Sequence, residues 1–421
     1  MFLNKTGLAL LAAVAVTAIS EATVLTVGPS GKYDFESIQD AILASNNGDE
    51  IIVAPGVYGT GGDSTVVNPL GKAIWIHSSV GAGVTIIDGG NWARGLRCSY
   101  GEGPDTIIEG FTIRNCKADG GGGALFDHAS PTILNCIFEN NISEQSYYYS
   151  ASGGAIYCDA SSAVISGCTF ISNYAEYNGG AIYNKNFSSP TISNCEFEEN
   201  SALKGGAICN SSSSDAIVSD CTFTYNSASF YGGAVYLIEY CSVTMTDCEL
   251  TLNSAQMSGG GIYNQGGELT TTQCLLSQNF TFESGGGLTV NNGNADVTFS
   301  AFEDNVAPLG GGIYIASTSS VVTVGDSVFC GNSIDHITGD WADAGDNEFY
   351  AGCDQGACCT NDVCVPLDPE MCVYVAGDFQ GLGSICTKTD CPEACVGDVN
   401  DDGVVDTSDI LALIGAWGIC P

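Results

Sequence analysis

The chain has 421 residues and carries 48 acidic side chains against 10 basic ones, a formal net charge of −38. No basic patch on such a chain can neutralise phosphates, which excludes nucleic acid and anionic membranes as partners. Cations fit the charge as partners, and so does the plainer duty of keeping a stiff body soluble.

In chain order, Lys5, the apolar run from Leu8 to Ile19 and Ser20-Glu21-Ala22 resemble a secretory signal peptide occupying residues 1–22. No Cys follows that point, so a lipoprotein anchor is not expected. No later segment approaches the ~20 apolar residues of a membrane span. The mature chain is therefore expected to be secreted or held at the cell surface. Export favours disulfides among its 21 cysteines, and the odd count leaves at least one thiol unpaired or intermolecular.

Residues 35–44 read as an amphipathic helix with Ile38, Ala41, Ile42 and Leu43 as its apolar positions. Residues 48–58, ending Ala54-Pro55-Gly56-Val57-Tyr58, read as a strand and turn. A short helix laid over the open end of a sheet would act as an N-terminal capping helix. Irregular extended segments follow around Val84–Gly90 and Ile107–Asn115.

A repeat then takes over. Cys136-x-Phe138-x-x-Asn141 recurs at Cys168, Cys195, Cys221, Cys248 and Cys274, with Leu in place of Phe in the last two, and Ser300 and Ser327 begin two further copies. After a first gap of 32 residues the spacing is 26 or 27, and seven copies are followed by Gly-Gly-Ala-Ile-Tyr or a close variant. A fixed period of this size means a solenoid, a propeller or an array. The unit has no room for a helix pair, and its alternating Val, Ile, Thr, Phe and Tyr with Gly, Asn and Ser between is strand-and-turn chemistry. Two or three short strands with bends fill one coil. Cys and Phe, two apart, face the same side and are placed inside. The Asn three residues after Phe then sits at a bend, where its amide can bond the coils on either side. The six stacked Cys read better as small hydrophobes than as a disulfide ladder or a metal site. The Gly pairs supply backbone angles or close approach that other residues forbid.

These elements carry a resemblance. The start helix, Gly48-Asp49-x-Ile51-x-Val53-x-Pro55-Gly56-x-Tyr58 and Gly110-Phe111-Thr112-Ile113-x-Asn115 look like the pectin-lyase-like right-handed parallel β-helix proteins. The Gly-Gly-Ala-Ile and Phe-x-x-Asn units resemble the repeats of the polymorphic outer-membrane proteins, bacterial surface adhesins; the C-terminal barrel of that family has no counterpart here. The resemblance covers residues 23–347 and implies an all-β fold, a right-handed parallel β-helix.

Residues 353–391 are crowded with cysteine and must be stapled by disulfides; they resemble a small Cys-rich module of exported bacterial proteins. Residues 395–421 hold the one sharp chemical motif. Asp398, Asn400 and Asp402 stand at positions 1, 3 and 5 of a calcium loop, Gly403 at the tight turn, Val404 offers its carbonyl, Asp406 a water-mediated contact, and Asp409 takes position 12. The following Ile410–Trp417 reads as a helix, giving an EF-hand-like loop-helix. It resembles one half of a type I dockerin, which implies a cohesin-like partner, although dockerins carry two such copies. Cys395 and Cys420 flank the unit and could clamp its ends.

Catalysis, if the chain performs any, would need charged groups where the repeat is broken. Asp88, Arg94, Arg97, Asp127 and His128, with Glu109, Arg114 and Lys117 near them, are the candidates. A lyase would need a base beside calcium-bound uronate, and the repeats offer only Lys185 and Lys204; a hydrolase would need paired carboxylates. Tyr147-Tyr148-Tyr149 could stack on sugar rings or be a plain loop tip. Uniform repeats favour a non-catalytic surface or extracellular structural or adhesion protein over a polysaccharide lyase or glycoside hydrolase, or a carbohydrate-binding protein, attached through the tail.

Overall fold

The computed structural model describes residues 22–144, 151–238 and 240–353, and the backbone of three later strands, Gly356–Thr360, Val363–Leu367 and Asp378–Leu382. The expected signal peptide, Tyr147-Tyr148-Tyr149 and the expected calcium loop lie outside the described residues.

The chain winds as a parallel β-solenoid of about twelve turns. A first face is a 13-stranded sheet running from Val24–Val27 to Ala342–Asp343. A second face has 12 strands, from Gly56–Tyr58 to Glu348–Tyr350, and a third has 11, from Thr65–Val67 to Ile337–Thr338. Seven coils insert a short face between the second and third, from Lys117–Ala118 to Phe280–Thr281. The middle coils thus hold four strands rather than two or three. Most strands of the short face have two residues, too few for alternation to reveal them in sequence.

One or two residues in the left-handed region turn the corners. Asn194 and Asp220, both at φ 52°, turn the first face into the second; Ser172 and Glu199, at 51° and 54°, turn the second into the short face. Short polar side chains tolerate that conformation best. Inside, like stacks on like. Phe138, Phe170, Phe197 and Phe223 lie nearly parallel with centroids 5.1, 4.7 and 4.6 Å apart.

The repeated Asn residues are buried and form a ladder. The backbone N–H and the side-chain amide of Asn226 both donate to Oδ1 of Asn253 at 3.0 Å, and the same amide donates to the Phe197 carbonyl one coil back at 2.9 Å. The Cys column is buried, and its thiols donate to the carbonyl two residues earlier, as Cys221 does to Ser219 at 3.0 Å. Ser300 and Ser327 make the same bond at 2.9 Å, which is why Ser can follow Cys in the column.

Both glycines of the pair are required. Gly179 has φ +61°, and a Cβ on Gly180 would lie 2.2 Å from the Gly206 carbonyl oxygen on the next coil. After the pair, Ala181 and Ile182 are buried and Tyr183 belongs to a second cluster. Tyr157, Tyr183, Tyr236 and Tyr263 are buried there with Leu125 and Cys209, apart from the main core. The glycine turn packs against this column: a Cβ on Gly232 would stand 3.1 Å from Cβ of Tyr236.

The helix spans Ile38–Ala44, three residues shorter than read from sequence, because Ser37 takes the N-cap and accepts from Asp40 N–H at 3.3 Å. Ile38, Ala41 and Ile42 are buried, but Leu43 faces solvent at 62% exposure. Lys72 Nζ closes the other end, donating to the carbonyls of Ile42, Leu43 and Ser45. At the far end a disulfide joins Cys330 to Cys353, and beyond it the three later strands pair antiparallel with Gly356–Thr360 in the middle. Among the described residues no helix is long and apolar enough to cross a membrane.

Candidate functional site

The charged residues singled out in sequence do not converge. Asp88 ends a strand of the second face and accepts from Arg114 Nε at 2.9 Å, Asn115 Nδ2 at 3.1 Å and Gly90 N–H at 2.9 Å. Burial pushes its carboxyl up, but these bonds and the Arg114 charge outweigh it and hold the group below the usual carboxylate range. Arg94 starts a strand of the third face and is buried, its guanidinium donating to the carbonyls of Gly121, Asp119 and Gly120 at 3.0, 2.9 and 2.9 Å. Arg97, three residues on, donates to Ser99 Oγ at 3.0 Å.

Asp127 ends the next strand of the third face, and His128 turns the following corner at φ 51°. Their side chains meet at 2.6 Å, Nδ1 to Oδ1, and that hydrogen bond, with the carboxylate charge, raises the imidazole's affinity for a proton. Lys117 pairs with Glu144 at 2.7 Å at the short face. Lys204 lies 5.4 Å from the ring centre of Tyr236 in a cation–π contact rather than free as a base. The candidates thus occupy several faces of the solenoid, most of them engaged in contacts that tie coils together.

One constellation includes a sequence-named candidate, Glu109, but otherwise escaped the sequence reading. On the first face, strands Glu50–Val53, Trp75–Ser78 and Ile107–Glu109 pair in register, with Glu50 beside Trp75 and His77 beside Glu109. The His77 ring stacks on Trp75 with centroids 4.2 Å apart, its Nε2 is 2.8 Å from Glu50 Oε1, and its Nδ1 is 3.2 Å from the Ser78 carbonyl. Trp75 Nε1 donates to Glu109 Oε2 at 3.1 Å, and Asn135 Nδ2 donates to the other oxygen at 3.2 Å. An indole edged by an imidazole and two carboxylates can hold a polar ligand or exchange a proton. Alternation in Trp75-Ile76-His77 puts both rings outward, but the unequal coils before Cys136 hide which carboxylates stand beside them.

Among the described residues, one group brings three metal-type ligand atoms within 4.8 Å: Glu303, Cys330 and Cys353. Its two sulfurs are joined to each other, which leaves a single carboxylate and does not fit a metal. Burial, with the neighbouring Asp304 charge, raises the Glu303 carboxyl.

Residues 122–304 and 180–353 each match the family model described as the right handed beta helix region, together more than half of the chain. The chain belongs to the right-handed β-helix family. No curated protein sequence matches this β-helix. Among solved structures it is similar to the A-module of the mannuronan C-5 epimerase of Azotobacter vinelandii, at 14% identity and TM-score 0.41, covering 74% of this chain and 89% of that one. A pectin methylesterase from carrot follows at 13% and 0.27, covering 78% and 82%, and a PL6 family alginate lyase at 11% and 0.25, covering 74% and 79%. At these identities and TM-scores the likeness carries no argument about what the chain does.

Proposed function

We propose that this chain is an exported, non-catalytic structural or adhesion protein of the cell surface or extracellular matrix. Its shaft is the β-helix, built from repeats like those of the polymorphic outer-membrane proteins and capped at the open end by the helix Ile38–Ala44. Its tail is a Cys-rich module followed by a dockerin-like segment that holds calcium through Asp398, Asn400, Asp402, Val404, Asp406 and Asp409 and grips a polysaccharide, a cell-surface component or a cohesin-like partner. The observation that carries the reading is the scatter of the sequence-named charges: Asp88, Arg94 and Lys117 lie in separate places, each bonded to a neighbouring coil. A rod needs such ties between coils, whereas a catalytic centre needs them to converge.

A second reading, a polysaccharide lyase or glycoside hydrolase attached through the same tail, is favoured by one feature, the Glu50–His77–Trp75–Glu109 constellation. Incubation with a panel of acidic polysaccharides and calcium, following both product release and retention, separates the two. No release of products is expected, whether or not a polysaccharide is retained. Release of oligosaccharides that disappears in His77→Ala would replace the first reading by the second.

A further inference from the structure

The short face carries a groove away from the Trp75 cluster. Register aligns Tyr174, Ser201, Ser227, Ser254 and Phe280 on five successive coils. Behind the serines Ala202, Ala228 and Ala255 turn into the solenoid and are buried. The three serine rungs therefore form a recessed floor, closed at one end by Tyr174 and at the other by Phe280. Phe282 meets Phe280 edge-on at 4.7 Å and is 66% exposed, and Tyr174 is 42% exposed. Four coil steps of about 4.8 Å separate the aromatic ends by roughly 19 Å.

The chemistry of the lining selects the occupant. Among the described residues lining the groove, Glu176 is the one charged side chain. A cation would find one carboxylate where it needs several. An anionic polymer would meet the field of a chain with net charge −38. What remains is a row of hydroxyls between exposed rings, which suits a ligand with apolar faces and polar edges. A sugar ring offers both, stacking its C–H face on an aromatic ring and its hydroxyls on serine. The floor is straight, so the chain on it must be extended rather than coiled, and one coil step is close to the length of one pyranose unit. We propose that this groove binds a neutral, extended, β-linked polysaccharide lying along the solenoid axis, with sugar rings on Tyr174 and on Phe280 with Phe282. The proposal deepens the adhesive reading and rests on it for the groove's use.

Calorimetric titration of the full chain with cellohexaose, xylohexaose and mannohexaose, and with hexagalacturonate as the charged counterpart, tests it. At least one neutral hexasaccharide binds and hexagalacturonate does not. Tyr174→Ala and Phe280→Ala each weaken binding about tenfold, and Ser227→Trp, which fills the floor, abolishes it. Tyr225→Ala, exposed at a corner outside the groove, leaves it unchanged. Tyr174 is exposed, so its variant keeps the core, which circular dichroism checks. Binding unaffected by Tyr174→Ala, equal loss in Tyr225→Ala, preference for hexagalacturonate, or no binding of any neutral hexasaccharide would each overturn the groove assignment. The adhesive reading fails by a different result, the release of products from polysaccharide.

Discussion

Oδ1 of Asn200 accepts two hydrogen bonds from Asn173, one from its backbone N–H and one from its side-chain amide, each at 3.0 Å. Asn200 in turn makes the same pair of bonds to Asn226 at 3.0 Å. Each rung thus satisfies the corner of the coil before it. Asn226→Ala removes the buried acceptor of the Asn200 backbone N–H and of one of its two amide protons, the other staying on the Phe170 carbonyl at 2.9 Å, and removes one donor to the Phe197 carbonyl. A buried polar group left unpaired costs about 1–3 kcal/mol, so the expected loss is about 3–5 kcal/mol in denaturant unfolding. Asn141→Ala, at the start of the ladder, where the coil before offers only the Cys116 backbone N–H at 3.1 Å, should cost clearly less. Equal losses at the two positions would show that the ladder carries no special load.

The glycine columns make a contrasting pair of predictions. A methyl group on Gly206 would lie 2.0 Å from the Gly233 carbonyl oxygen, an atom of the neighbouring backbone that cannot move alone. Gly206→Ala is expected to destabilise by at least the 1–3 kcal/mol typical of overpacking. Gly266 has positive φ, +77°, but the nearest atom to its Cβ position is 3.9 Å away, and the neighbouring coils place Tyr240 and Asn292 at the same corner. Gly266→Asn should change stability by less than about 1 kcal/mol. Thermal melts of the two variants against the parent chain measure both.

The buried thiols predict a loss of stability in alkali. Cys195, Cys221 and Cys248 are pushed up to about 12, first by hydrogen bonding to the thiol one coil back, with burial adding to it. Burial does the same for Cys136. An unfolded thiol titrates near 9.0, so between about 9 and 12 the unfolded chain has released protons that the folded chain still holds. Stability from this source is therefore complete below pH 9 and falls as pH rises above it. The melting temperature should drop through that window. A variant with Cys195, Cys221 and Cys248 all replaced by Ser, the residue already present at 300 and 327, should drop less steeply. An identical slope would mean that other groups control the alkaline limb.

Much of this architecture is legible in the sequence because the repeat is strict. When Cys, Phe and Asn return every 26 or 27 residues, like must stack on like, and the inward side and the ladder follow. Tyr183 is harder to read. Alternation sets it opposite Ile182, but only the packing of the Gly-Gly turn gives this side an interior of its own. Function is less legible still. Asp88 and Arg94 are near in sequence, yet a solenoid visits every face within one coil, so closeness along the chain does not place side chains on a common face. The converse holds for Glu50, His77 and Glu109, distant in sequence and adjacent on the first face. Their register depends on coil lengths that only the fold supplies.

The proposed calcium loop yields a prediction that must be separated from general attraction. With 48 acidic side chains against 10 basic ones, the whole surface draws divalent ions weakly, and a plain titration would report both effects. Asp402 stands at position 5 of the loop, beside Gly403, where a carboxylate oxygen is needed to complete the shell with Asp398 and Asn400. Calorimetry of the chelator-treated full chain should show one site with Kd of about 10⁻⁴ to 10⁻³ M, the range of extracellular modules. Asp402→Ala should remove that site while the weak background stays. Asp220→Ala, a carboxylate at a corner of the shaft, should leave it intact. Trp417 follows the loop closely in sequence and offers an independent fluorescence signal of the same event. Calcium binding that is equal in the parent chain and in Asp402→Ala would remove the dockerin-like tail from the functional reading and leave the shaft to be explained alone.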